Sequence, residues 1–188
     1  TRRNTMQIFR YGKIEIDYLR SRDKKLGRAI DEIGMIERRV IPDIFTALVA
    51  SVAGQQVSVK AAETVWDRME NRFGTITPAA IAAATAEEIQ QCGMSMRKAG
   101  YIKRIGDAVA EGDPDLAALP GLADDEVIAR LTALDGVGVW TAEMMLIFSM
   151  QRPDVVSWGD LAIRRGMMRL YGKETLDRVP VLPAQCIE

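Results

Sequence analysis

The sequence predicts an all-α protein, and three observations carry that expectation. Apolar residues recur at the 3.6-residue period of a helix over most of the 188 residues. The breaks between these runs fall on Ser, Thr, Asp or Pro at one end and on Gly at the other, which are helix start and stop signals. Strand signals are sparse: "KIEIDYL" (13–19) alternates briefly, and one short run cannot make a sheet.

Taken in order, "PDIFTALVASVAG" (42–54) opens on Pro-Asp, carries Ile44, Leu48, Val49 and Val52 at helical spacing, and ends at Gly54. "VSVKAAETVWDRMENRFG" (57–74) follows, with Val59, Ala62, Val65, Trp66 and Met69 on one face and Gly74 as its C-cap. These two helices meet at "AGQQVS" (53–58). "TPAAIAAATAEEIQQCG" (77–93) reads as two short helices, the first capped by Thr77 and the second by a Thr85–Glu88 capping box. "SMRKAGYIKRIGDAVAEG" (95–112) is a further helix closed by Gly112. "LADDEVIARLTALDG" (122–136) and "VWTAEMMLIFSM" (139–150) flank a tight turn, and "GDLAIRRGMMRLYG" (159–172) is the last clear helix, from Asp160 to Gly172.

Composition bounds the function. Hydrophobic residues make up 48% and charged residues 27%, the profile of a soluble globular chain. No apolar run approaches the roughly 18 residues of a membrane span, and "TRRNTMQIFRYGK" has no signal-peptide core. There is no histidine, which excludes His-based acid–base catalysis, His-bound zinc and any Ser-His or Cys-His pair. Two distant cysteines, Cys92 and Cys186, cannot hold a four-cysteine iron–sulfur cluster. Chemistry must therefore run on carboxylates, lysine, tyrosine or water. The net charge of −1 does not by itself suggest a nucleic-acid binder, but basic residues cluster in "MRKAGYIKR" (Arg97, Lys98, Lys103, Arg104) and "IRRGMMR" (Arg164, Arg165, Arg169).

The turn in "LDGVGVW" (134–140) is the most informative segment. Gly136 and Gly138 allow backbone angles and close approach that side chains would block. Unpaired amides and the positive end of the following helix make such a turn a place for an anion, and a phosphate suits it. Leu131, Leu134, Val137 and Ala142 are expected to clamp the two helices together. The backbone carbonyls of Leu134 and Val137, on the turn's other side, suit a structural monovalent cation (Na+ or K+). A G-x-G alone is an ordinary helical-hairpin turn; with Leu134 before it, Val137 within it and Thr141-Ala142 after it, the segment resembles the helix-hairpin-helix DNA-binding motif. Some twenty residues on, Asp160 precedes a helix, where an aspartate is most often an N-cap.

Four segments in order, "VASVAGQQVSVKAA", "GMSMRKAGYIKRI", "LDGVGVWTAE" and "RPDVVSWGDLAIRRG", make most of the chain, roughly residues 41–172, similar to the helix-hairpin-helix GPD superfamily of DNA glycosylases, in its alkylation-repair branch, DNA-3-methyladenine glycosylase II. The resemblance implies two helical lobes around a cleft within one domain of residues 1–188: a lobe of 41–133 with a wedge turn, and a second of 1–40 plus 134–188 with the hairpin and catalytic loop. It implies that Asp160 stabilises positive charge on the sugar and helps activate water. It makes Gln56, with Gln55 beside it, the wedge that fills the gap left by a flipped base, and it lines the base pocket with Trp140 and Met144, with Trp158 as a further candidate.

Gly136, Val137, Gly138, Thr141, Ser58 and Lys60 are implied DNA contacts, and Arg97, Lys98, Lys103, Arg164 and Arg165 are further candidates for the DNA backbone. Superfamily members that also cleave the strand carry a lysine two residues after the hairpin's second glycine; Trp140 stands there, so a monofunctional enzyme is expected. The implied function is hydrolysis of the N-glycosidic bond of alkylated purines such as 3-methyladenine, with no cofactor required. The implied partner is damaged double-stranded DNA, met by a monomer in the cytoplasm of a prokaryotic cell, away from membranes.

The chain departs from the family at Met144, where relatives have an aromatic residue, and at Gln56, where some use leucine. Trp158 is larger than the usual residue, and the ending "RVPVLPAQCIE" (178–188) does not read as the further helix of relatives. Three alternatives stay open: a helix-hairpin-helix protein that binds DNA without cleaving it, a glycosylase for oxidised or mismatched bases, and a helical protein–protein module.

Overall fold

The computed structural model describes residues 7–172; Cys186 and the ending "RVPVLPAQCIE" lie outside them. Among the described residues the chain forms ten α-helices, and extended backbone pairs at an isolated antiparallel bridge between Ile8 and Arg39. The all-α expectation holds.

The described residues divide into two compact units. The larger comprises 7–9 and 37–156. It contains α3 (Ile44–Gly54), α4 (Val59–Phe73), α5 (Pro78–Ala83), α6 (Ala86–Gln90), α7 (Met96–Ala110), α8 (Asp124–Thr132) and α9 (Val139–Phe148), with a 3-10 turn at Leu119–Gly121. The start signals act as expected. Asp43 accepts from the Thr46 amide at 2.7 Å and Thr77 from the Ala80 amide at 3.1 Å; Thr85 and Glu88 form the reciprocal box at 2.9 and 3.2 Å. Gly74 ends α4 at φ +67°.

One apolar core joins these helices. Leu48, Val49 and Val52 of α3, Met69 of α4, Ile102 and Ile105 of α7, Leu131 of α8 and Leu146 of α9 are fully buried in it. At full burial each contributes on the order of 1.5–3 kcal/mol. α7 is central because it packs against α3, α5 and α6. The contact with α5 is so close that a Cβ at Gly106 would lie 2.5 Å from Ile81 Cγ2. On α4, Val65 and Met69 face inward, whereas Val59 is 77% exposed. It opens the first turn, beyond the reach of the core.

The smaller unit comprises 10–36 and 157–172 and contains α1 (Lys13–Arg22), α2 (Lys24–Ile33) and α10 (Leu161–Tyr171). The alternating "KIEIDYL" is helical in α1: with no partner strand among the described residues, its backbone groups are satisfied locally. α1 and α10 bury no residue completely, and polar contacts pin the unit together. The Tyr11 hydroxyl donates to the Ile36 carbonyl at 2.6 Å and accepts from the Ile36 amide at 2.7 Å. Asp23 caps α2 by accepting from the amides of Lys25 and Leu26 at 2.8 and 3.0 Å.

The two units are bounded differently from the expected lobes. The hairpin and α9 belong to the same unit as α3–α8, because Leu131, Leu134, Val137, Ala142 and Leu146 are buried in that unit's core. The smaller unit shares residues 10–36 and the loop with Asp160 with the expected second lobe, whereas residues 7–9 and 37–40 fall in the larger unit.

Candidate nucleic-acid interface

α8, a turn over 133–138 and α9 build the hairpin. Leu131, Leu134, Val137 and Ala142 are buried as expected, and the Val137 amide closes the turn on the Leu134 carbonyl at 3.1 Å. The two glycines have different tasks. Gly136 sits at φ +82°, and a Cβ there would lie 2.4 Å from Tyr101 Cδ2, so the residue must be glycine for the turn to dock on α7. Gly138 has ordinary angles, φ −91° and ψ 171°, and a Cβ on it would meet nothing within 4 Å. Its missing side chain leaves open space at the N-cap of α9, where the amides of the first turn point along the helix axis toward any approaching anion.

Three side chains hold the turn from outside. Tyr101 packs over Gly136, and Arg104, which lies over the Tyr101 ring, donates Nε–H to the Asp135 carboxylate at 2.6 Å. Gln55 donates its side-chain amide to the Gly136 carbonyl at 2.9 Å. Sequence reasoning gave Tyr101 and Asp135 no role and read Arg104 only as part of a basic cluster. The available signal was the spacing Lys98, Tyr101, Arg104, three residues apart along one stripe of α7.

The wedge turn lies between α3 and α4. Gln56 is exposed at φ +55°, an unusual conformation for a side-chain-bearing residue. Ser58 caps α4 through the Ala61 amide at 3.3 Å. Lys98 donates to the Ala53 carbonyl at 3.0 Å and to the Gln55 carbonyl, so its ammonium satisfies the end of α3. Burial lowers its pKa.

The structure redistributes several expected DNA contacts. Thr141 is only 3% exposed, so its hydroxyl is not on the surface and its backbone amide in the first turn of α9 is what remains for that role. Gln55 and Lys98 spend their polar groups on the protein backbone, and Lys103 donates to the Ala82 carbonyl at 3.1 Å and pairs with Asp107. Lys60, Arg97, Arg164 and Arg165 are exposed.

The pocket candidates fall in both units. Trp140 is 47% exposed on α9, with Met144 half-buried one turn later, in the larger unit; Trp158, 37% exposed, and Asp160 belong to the smaller. Asp160 is the N-cap of α10. Its Oδ1 accepts from the Ala162 amide at 2.7 Å and the Ile163 amide at 3.2 Å, and its own amide donates to the carbonyl of the buried Ser157 at 3.0 Å. These bonds fix the carboxylate's direction at the positive end of a helix. No group of His, Cys, Asp and Glu able to hold a metal ion occurs among the described residues, and none of their helices is long and apolar enough to cross a membrane.

Comparison with known proteins gives the family. Residues 49–181 match the model of the HhH-GPD superfamily of base excision DNA repair proteins. The chain is 36% identical over 145 residues to DNA-3-methyladenine glycosylase 1 of Schizosaccharomyces pombe, covering 75% of this chain and 61% of that protein. A solved DNA-3-methyladenine glycosidase of Bacillus halodurans superposes with a TM-score of 0.78 at 36% identity, over 89% of this chain and 78% of that one. A 3-methyladenine DNA glycosylase of Schizosaccharomyces pombe in complex with abasic DNA gives 0.72 at 29% identity, over 88% and 84%. The chain spans 47–61% of the length of the first curated relatives it matches. With the family model covering most of the sequence, from the wedge turn through the hairpin to the Asp160 loop, the chain belongs to the HhH-GPD superfamily of base excision DNA repair proteins.

Proposed function

We propose that the protein is a monofunctional DNA glycosylase that hydrolyses the N-glycosidic bond of alkylated purines such as 3-methyladenine in double-stranded DNA. The observation that carries this reading is Asp160, a carboxylate whose direction is set by two helix amides, in a chain that also bears a hairpin with open space at Gly138. In this mechanism the hairpin amides hold the DNA backbone, and Gln56, at the apex of its turn, fills the gap left by the flipped nucleotide. Alkylation leaves positive charge on the purine, which favours stacking on an electron-rich ring, a role for Trp140. As the bond to the base breaks, positive charge develops on the sugar ring, and the Asp160 carboxylate stabilises it and orients the attacking water.

Trp140 occupies the position of the Schiff-base lysine of strand-cleaving relatives, so no covalent intermediate with the sugar is expected. A structural Na+ or K+ at the hairpin is part of the proposal. The Leu134 carbonyl accepts from the Val137 amide at 3.1 Å and keeps a second lone pair, so it and the Val137 carbonyl are suitable oxygen donors. A monomer acting on chromosomal DNA in a prokaryotic cytoplasm completes the reading.

The test is release of methylated purines from alkylated duplex DNA by the parent and by Asp160→Asn. Asparagine keeps a capping oxygen, so helicity and DNA binding are expected to persist while release falls by at least about 100-fold, the size of a lost electrostatic contribution. Equal release by both proteins would reduce Asp160 to a helix cap. The bonds from Ala162 and Ile163 favour a second reading, a DNA-binding protein without hydrolysis, and a parent that binds DNA but releases nothing selects it. Borohydride trapping on abasic DNA should give no covalent adduct.

A further inference from the structure

We infer that Lys98, Tyr101 and Arg104, one stripe of α7, act with Gln55 as a clamp that fixes the wedge turn and the hairpin turn relative to each other, and so are positioning residues for damaged-DNA recognition. The inference rests on the glycosylase reading and deepens it. Gln56 and Gly138, two of the points assigned to DNA, lie on separate turns, and their register is set by contacts between those turns and with α7. Lys98 gathers the carbonyls of Ala53 and Gln55, immediately before the wedge residue. From that same residue, the Gln55 side chain reaches the hairpin at Gly136. Three and six residues along α7, Tyr101 seats Gly136 and Arg104 holds Asp135. Both turns thus hang on one helix and on each other.

The basic residues of α7 thereby acquire a task different from phosphate binding. An ammonium satisfied by two carbonyls is a structural hub, and its removal should disorder the wedge without subtracting a phosphate contact. The two roles leave different signatures. A lost phosphate contact weakens every duplex alike and reduces the steepness of log K against log salt by about 0.9. A lost clamp leaves the salt slope unchanged and erodes only the preference for a duplex into which the wedge must insert.

The experiment measures affinity for a duplex carrying a tetrahydrofuran abasic-site analogue and for the same duplex undamaged, across a salt series. The parent, Lys98→Met, Lys98→Arg and Gln55→Met are compared, with circular dichroism and thermal melting confirming that each is folded. The expected result for Lys98→Met is a loss of abasic-site preference of about tenfold, the size of a lost charge-assisted hydrogen bond, at an unchanged salt slope. Lys98→Arg, which keeps several donors, should restore most of the preference. Gln55→Met, which keeps the volume and removes the amide, is expected to show the same selective loss and serves alone should Lys98→Met not fold. A slope reduced by about 0.9 with equal weakening of both duplexes, or a preference unchanged in the folded variants, overturns the clamp. A parent without any preference for the abasic duplex instead removes the glycosylase reading beneath it.

Discussion

The Tyr171 hydroxyl donates to the Asp23 carboxylate, tying the last turn of α10 to the N-cap of α2 across 148 residues of sequence. That hydrogen bond is the main reason the tyrosine's pKa is pushed up to about 12, with burial and the carboxylate's charge adding to it. The same hydroxyl is the main reason Asp23 is held below its ordinary value of 3.8. A raised folded pKa contributes stability below the ordinary tyrosine value of 10.0 that is lost as pH climbs toward 12. A lowered one contributes above 3.8 and is lost as pH falls below it. The pair therefore stabilises the smaller unit between those limits. Absorbance titration at the phenolate band should show one tyrosine ionising near pH 12 and lose that step in Tyr171→Phe.

Gly136 and Gly138 should separate stability from binding. Gly136→Ala combines a positive φ with a methyl group inside the Tyr101 ring, and should cost roughly 2–5 kcal/mol in denaturant unfolding. Gly138→Ala meets no atom and should change stability by less than about 1 kcal/mol, the N-cap preference of glycine over alanine. Duplex affinity should nevertheless fall, because the added methyl occupies the approach to the α9 amides.

A helical glycine replaced by alanine is normally stabilising by up to about 1 kcal/mol. At Gly106 the sign should reverse. The new Cβ would lie 2.5 Å from Ile81 Cγ2 and 3.2 Å from the Ala82 amide nitrogen, and overpacking of this kind costs about 1–3 kcal/mol. Pairing it with Ile81→Val, which trims the opposing residue, should recover part of that loss in a double-mutant cycle.

Arg152 is a structural arginine despite its charge. One guanidinium nitrogen pairs with Asp124 and the other donates to the Leu122 carbonyl at 2.7 Å, with Pro120 and Leu119 at 3.3 and 3.4 Å. Arg152→Met should lower stability by roughly 2–3 kcal/mol on thermal unfolding, in the range for charge-assisted bonds whose acceptors are left unpaired. The salt slope of duplex binding should stay the same.

The sequence was most legible where one residue type has one local use. Thr77, Thr85 with Glu88, and Gly74 end or begin helices by chemistry confined to a few neighbours, and each does so in the structure. α1 was less legible: "KIEIDYL" has the period of a strand, yet it lies in a helix whose first turn is closed by Glu15 accepting from the Gly12 amide. Gly136 was recognised for its backbone freedom, but the demand for glycine also comes from Tyr101, thirty-five positions away. The same holds for Lys98: its charge placed it in a basic cluster, whereas its hydrogen bonds reach back to α3. Polarity can be read from a single chain, but its target depends on which elements the core brings together.

The Gln55–Gly136 hydrogen bond closes a loop of 81 residues. Closing a loop of that length carries an entropy cost of several kcal/mol that a local hairpin turn does not meet. The packing of α7 against α3 brings the two ends together and offsets that cost. The fragment 122–150 would carry the hairpin without Gln55, Tyr101 or Arg104, and it would bind DNA indiscriminately at best. On the clamp proposal, the wedge turn and the hairpin turn reach their mutual register only after Gly136 has left the ribosome.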